Sequence, residues 1–245
     1  MSFAPTSEKL LPDLSPREEL VLLARTLWKE GYDDHLSGHI TYKQPDDTFL
    51  CNPWMLLWKE LRPHQVIRID IEGNVLEGDW PAPLGIPLHL ELHKRRPDIT
   101  VAMHNHSRFG TAWADAGRVP PVLDQSSALG GGELVLVSEY GGTVGDSANA
   151  AAAVEALGDA ELALLANHGV FVLGSSIRAV HLRAVSLEWR CKMAWRAEAL
   201  GGGNELVEPV RARFQASDGN SFAGYWEAMA RQEILEDPTL LEANR

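Results

Sequence analysis

The run ELALLANHGVFVLG, residues 161–174, constrains the fold more than any other stretch of the chain. It is two apolar segments, each too short for an ordinary helix, that meet at Asn167-His168-Gly169. Short continuous apolar runs are strands buried on both faces, and such strands require a sheet covered by helices. A second run, ITVAMHNH at 99–106, ends in His104-Asn105-His106. Two buried strands therefore finish in histidine, at the sheet end where a site can open to solvent.

The remaining segments fit around that sheet. Ser15 and Glu18 make a capping box, Pro16 sits at the first helical position and Gly31 is a stop, which predicts a helix over 16–30. Strands are predicted at 37–43 and 48–52, and a hairpin over 66–78 that turns at Glu72-Gly73-Asn74. Residues 87–96 read as a helix stopped by Pro97 and 107–117 as a short helix. A strand at 133–140 and a helix at 149–158 closed by Gly158 follow. A long amphipathic helix is predicted over about 176–200, capped by Ser175 or Ser176 and ended by Gly201. The expected organisation is an extended arm over 1–14 and one domain over 15–245, with a C-terminal helical segment from about 203. The fold class is α/β, and the tight antiparallel hairpins argue against an all-parallel sheet.

Composition narrows the partners. The 245 residues are 45% hydrophobic, enough for one large core. With 22 basic and 34 acidic groups the net charge is −12, which argues against a nucleic-acid or anionic-membrane partner. No apolar run reaches the roughly 18–20 residues of a membrane span. The N-terminal residues lack the basic and apolar regions of a secretory signal, and Cys51 and Cys191 read as free thiols of a cytoplasmic protein.

Alternation along a strand puts His104 and His106 on one face, with Asn105 opposite. Their Cβ atoms are then about 7 Å apart, close enough for two imidazoles to converge on one ion. His168 ends a neighbouring apolar strand, and Gly169 lets the backbone turn sharply there. Three neutral imidazoles with an open position are the pattern of a catalytic metal site. One divalent ion per chain is expected. Zinc suits three nitrogens best, with manganese, cobalt and nickel as alternatives.

In this arrangement the chain resembles the class II aldolase/adducin family over residues 15–200. The resemblance rests on an ordered set: the helix ending at Gly31, Ser37-Gly38-His39-Ile40, Phe49-Leu50-Cys51-Asn52-Pro53, Leu88-His89-Leu90, Arg96-Pro97-Asp98, Val101 to Ser107, and Leu164 to Gly169. It implies a three-layer α/β/α sandwich with a mostly antiparallel central sheet, and homotetramers with active sites between subunits. It also implies a metal triad of His104, His106 and His168, the same three residues that the spacing selects.

The departures bear on chemistry. Sugar-phosphate aldolases of the family carry Ser-Ser-Glu before the helix bearing the matched Leu-His, and that Glu is the acid/base. Here the Glu position falls on Gly85, after Pro83-Leu84. The phosphate-binding stretches read Asn52-Pro53-Trp54-Met55 and Gly38-His39. Trp54 and Trp58 either stack on a planar substrate or pack in the core. The small-molecule substrate is therefore expected to lack phosphate. The resemblance implies a metal-dependent lyase working through a metal-stabilised enolate. The missing Glu favours decarboxylation of a hydroxy-aromatic or β-keto acid. Aldol cleavage of a non-phosphorylated hydroxy-carbonyl compound, and a non-catalytic adducin-like assembly role, are the alternatives. His89 is the first candidate proton donor, and Asp124 a second, contributed from a neighbouring subunit. His39, Asn52, Trp54, Trp58, Gly85, Arg108 and Gln125 are candidates to line the substrate site. His93, Tyr140 and Tyr225 are weaker candidates to supply a proton.

Overall fold

A computed structural model of the chain describes residues 9–138, 146–215 and 224–242. Helix α1 (Pro16–Lys29) leads to strands β1 (His39–Lys43) and β2 (Phe49–Cys51), then to two 3-10 turns at Trp58–Glu60 and Pro63–Gln65. The hairpin β3 (Ile67–Ile69) and β4 (Val75–Glu77) follows, then α2 (Ile86–Arg95), β5 (Val101–Asn105) and α3 (Arg108–Asp115). Next come α4 (Gln125–Ala128), β6 (Leu134–Val137), α5 (Ser147–Leu157), β7 (Leu162–Leu165) and β8 (Gly169–Gly174). Helices α6 (Ile177–Ala199), α7 (Glu208–Gln215) and α8 (Tyr225–Glu236) complete the order. Among the described residues none of the helices is long and apolar enough to cross a membrane.

The eight described strands form one sheet in the order β4-β3-β2-β1-β5-β8-β7-β6. Only β6 and β7 pair in parallel; the other six pairings are antiparallel. Strand alternation sorts side chains into two layers. Ile40, Leu50, Val101, Met103, Val170 and Val172 face a core shared with α1, α3, α6 and α8. Ala102, Ala163, Phe171 and Leu173 face a second core under α2 and α5. Phe49, Cys51, Ile67 and Ile69 extend that side beneath the start of α2. This is the expected α/β/α sandwich. Leu20, Val21, Leu22, Leu23, Ala24 and Leu27 of α1 are all fully buried, because sheet, α6 and α8 enclose that helix. Each large aliphatic there contributes about 1.5–3 kcal/mol.

The sequence boundaries hold to a residue or two, with instructive exceptions. Ser15 caps α1 with the full capping box, and Gly31 takes φ +98°, the left-handed stop. β5 closes at Asn105, so His106 lies just past the strand. Helix α5 starts two residues before the predicted 149, because Asp146 accepts from Ala148 N and Asn149 N. The short α4, capped by Asp124, was not anticipated. Of the expected arm, residues 1–8 lie outside the described residues, while Leu11 is buried in the first core and Leu14 packs against it. Strand β6 ends at Val137, and Tyr140 lies outside the described residues.

Candidate metal centre

Register builds the site. His39 in β1 pairs with His104 in β5, which pairs with Phe171 in β8. Cross-strand partners sit about 5 Å apart on one face, and the His39 and His104 rings are 5.2 Å apart. His106 leaves the end of β5 and His168 stands in the β7–β8 turn. Their ring centres lie 5.3 and 4.7 Å from that of His104, and 4.8 Å from each other. The turn is forced: Asn167 takes φ +55°. A Cβ on Gly169 would lie 2.6 Å from Asn105 O and 2.7 Å from His106 Cδ2, so only glycine fits.

One nitrogen of each β5-derived imidazole is already engaged. His104 Nδ1 lies 2.9 Å from Val170 O, and His106 Nδ1 lies 2.8 Å from Asp34 Oδ2. A carbonyl and a carboxylate only accept, so both Nδ1 atoms carry a proton, and in the neutral ring the lone pair is then on Nε2. Those two Nε2 atoms are buried and have no hydrogen-bond partner. A lone pair hidden from water with no donor is costly unless a cation receives it. The ligand atoms of His104, His106 and His168 lie within 4.8 Å of one another. Such a cluster would hold one ion through three imidazole nitrogens. The three side chains therefore fit a divalent metal. Burial pushes His104 well below the ordinary histidine range and His168 down to about 4. Neutral imidazole, the ligand form, is the state this environment favours.

Two supports complete the centre, and the sequence reading missed both. Burial acts to raise the Asp34 carboxyl, but hydrogen bonds from His35 and His106 outweigh it and hold the group below its usual range. Arg108 grips the neighbouring Asp33 through Nε and a second guanidinium nitrogen. Buried Glu188 on α6 accepts from Phe109 N (2.8 Å) and Gly110 N (2.9 Å), the first amides of α3. That carboxylate caps the helix that begins two residues after His106, while Ser107 makes no side-chain cap. The signal for Asp34 was present in Asp33-Asp34, an acidic pair shortly before the Gly38-His39 motif; carboxylates that orient ligand histidines are the rule. Glu188 carries no local signal, since its partners are 78–79 residues away.

Behind the triad runs a file of buried imidazoles. The His39 ring is 5.9 Å from that of His89. Thr41 Oγ1, on the same face as His39, lies 2.9 Å from both His89 Nδ1 and His93 Nε2. His39 is pushed down to about 3 by burial first and by His106 and His168 second. Burial also drives His89 well below its ordinary value. Gly85 caps α2 against this file. A Cβ there would lie 2.7 Å from His39 Nδ1 and 3.0 Å from its Nε2, and closer still to Cε1. The His39 ring thus fills the space that a side chain at position 85 would need.

Other predicted site residues take different places. Trp58 is only 3% exposed and donates to Gly38 O, with its ring filling the room left by the missing Cβ of Gly38. It packs in the first core, the second of the two alternatives open for this residue. Trp54 is half-buried, its amide bonded to Pro81 O. Asn52 accepts from Ile40 N and donates to Gly38 O, so its amide braces the backbone instead of meeting a ligand. Arg108 is likewise committed to Asp33. Asp124 accepts from Ser127 N and Trp189 Nε1. Its helix α4, with the exposed Gln125, packs on α6 and α7. Trp189 and Trp195 on α6 are 41% and 53% exposed, and Tyr225 begins α8 on the same side of the sheet.

Comparison with known proteins agrees with this geometry. Residues 18–195 match the Class II Aldolase and Adducin N-terminal domain. A 5-methylthioribulose-1-phosphate/5-deoxyribulose-1-phosphate aldolase of Rhodospirillum rubrum is 29% identical over 217 residues, covering 84% of this chain and 93% of that one. A protein named Decarboxylase NovR, of Streptomyces niveus, is 25% identical over 217 residues, 86% of this chain and 80% of its own. The solved L-fuculose 1-phosphate aldolase from Glaciozyma antarctica PI12 superposes with a TM-score of 0.79 at 24% identity, over 96% of this chain and 98% of that one, a likeness of fold.

Proposed function

The chain belongs to the class II aldolase and adducin family, and from that membership we propose that it is a divalent-metal-dependent lyase that removes carbon dioxide from a hydroxy-aromatic or β-keto acid. A divalent ion held by His104, His106 and His168 would act as a Lewis acid on a substrate carbonyl or hydroxyl oxygen. The observation that carries the reading is the fit of His39 against Gly85. Position 85 has no carboxylate, and the imidazole fills the room for one. Aldol cleavage must take a proton from a hydroxyl group, which that carboxylate does in the sugar-phosphate aldolases. Decarboxylation breaks the bond to the carboxylate, leaves its electron pair on carbon, and then needs only a proton delivered there.

The role first read on His89 passes to His39. His89 is fully buried and bonded to Thr41, whereas His39 stands between it and His104. A neutral imidazole keeps a proton on one nitrogen and can direct it at a bound substrate. Trp54, half-buried beside Asn52-Pro53, is the aromatic face left to stack on a planar ring. The orienting carboxylate at His106 supports catalysis over a scaffold role, because assembly needs no aligned ligand lone pairs.

The test is a screen of the metal-loaded protein against hydroxybenzoic and β-keto acids, with carbon dioxide as the readout. The expected result is release that disappears in His106→Ala. Release of an aldehyde from a non-phosphorylated hydroxy-carbonyl compound, with no carbon dioxide from any acid, would move the chain to the aldolase side.

A further inference from the structure

At the other end of the sheet from the histidines lies a cavity of about 360 Å3, lined by Val122, Gly132, Glu133, Leu134, Arg190 and Arg211. Leu134 opens β6 and is in register with Leu162 at the start of β7, while His168 follows the far end of β7. The cavity is therefore separate from the metal centre. Its volume is that of a small-molecule site.

Its cations are under-used. Arg190 donates Nε and Nη2 to a single acceptor, Pro120 O. Among the described residues it has no carboxylate within ion-pair distance. Arg211 gives Nη2 to Glu208 one turn away, and its Nε is buried without a partner. Burial first, with the repulsion of Arg211 adding to it, holds Arg190 below its ordinary proton affinity, against the opposing pull of Cys191 and Glu205. Glu133 is exposed at the rim. A narrow extension shares Arg190 and Gly132 and adds Ser127, Arg183 and Ser186. Two guanidinium groups converge on one partly buried hollow, with unfilled donors and with Val122 and Leu134 as apolar wall. A planar fork of that kind is matched by an oxyanion.

We propose that the Arg190–Arg211 cavity is a binding site for a small molecule carrying a phosphate or carboxylate group on a compact apolar body, separate from the metal centre. The test is calorimetric titration of the metal-loaded full chain with inorganic phosphate and, separately, with benzoate. Saturable binding of at least one probe is expected. It weakens at least tenfold in Arg211→Gln and in Arg190→Lys, persists in His106→Ala, and is unchanged in Arg213→Gln, which removes the same charge from an exposed position on the same helix. Preference for phosphate or benzoate identifies the anionic group. Three results overturn the proposal: no saturable binding of either probe, binding lost in His106→Ala but kept in Arg211→Gln, or equal losses in Arg211→Gln and Arg213→Gln. Arg211 lies on α7 and is partly exposed, so its variant keeps the test open if Arg190→Lys does not fold.

Discussion

Gly85→Ala isolates the contact on which the functional reading turns. Gly85 has φ −86° and ψ 7°, a backbone that alanine adopts without strain. On backbone grounds alone the change would stabilise the protein by about 0.4–1 kcal/mol. The new methyl, however, would stand 2.7 Å from His39 Nδ1 and 3.0 Å from Nε2, well inside ordinary contact of about 3.5–4 Å. The ring cannot retreat freely, because His104 and His89 flank it with ring centres at 5.2 and 5.9 Å. Overpacking of this kind costs about 1–3 kcal/mol. In a His39→Ala background the obstacle is gone and the backbone gain returns. The backbone gain cancels between the two backgrounds, so the coupling between the two positions is the overpacking cost alone, about 1–3 kcal/mol, within the range for side chains in contact. Urea unfolding of the metal-loaded wild type, both single variants and the double variant completes the cycle. Additivity within about 0.5 kcal/mol would refute the steric exchange between positions 39 and 85, and with it the main argument for decarboxylation.

Three further outcomes follow from the same geometry. Asp34→Ala removes the acceptor from His106 Nδ1 and weakens metal binding about 10–100-fold, read by competition with a chromophoric chelator. Glu188→Ala strips two charge-assisted bonds from the start of α3 and costs about 3–5 kcal/mol in urea unfolding; a loss below about 1 kcal/mol would mean that water caps the helix instead. His181 is buried against Trp226 with neither ring nitrogen bonded, and burial pushes it down to about 4 although Glu227 pulls the other way. Its folded value lies below the ordinary 6.5, so the unfolded chain binds the proton first. The contribution is complete above pH 6.5, shrinks as pH falls towards 4, and amounts to about 3 kcal/mol. His181→Phe should flatten that part of the stability profile.

The layers and the triad were legible because their determinants are local. Capping at Ser15, the left-handed stop at Gly31 and the apolar runs at 99–103 and 161–174 each announce their element within a few residues. His104, His106 and His168 stand at the ends of those runs. What was not legible depends on pairs far apart in the chain. The sequence leaves Trp58 either stacking on a substrate or packing in the core, and only the missing Cβ of Gly38, 20 residues earlier, shows where its ring goes. His39 and Gly85 look like two separate departures from the family pattern until the start of α2, laid against β1, places one against the other. Arg108 suggests a substrate carboxylate, yet Asp33, 75 residues back, already holds it.

The bond from Glu188 to the start of α3 also sets an order of assembly. The candidate ligands are residues 104, 106 and 168, the carboxylate bonded to His106 is residue 34, and the brace on the helix behind them is residue 188. During synthesis from the N-terminus, β1, β5 and two ligands exist long before the third, and the brace emerges last. A nascent chain that stops before α6 would have all three histidines and the Asp34 carboxylate, but not the Glu188 brace at the start of α3. A metal site held this way would be complete only once the chain has been made through its longest helix, α6.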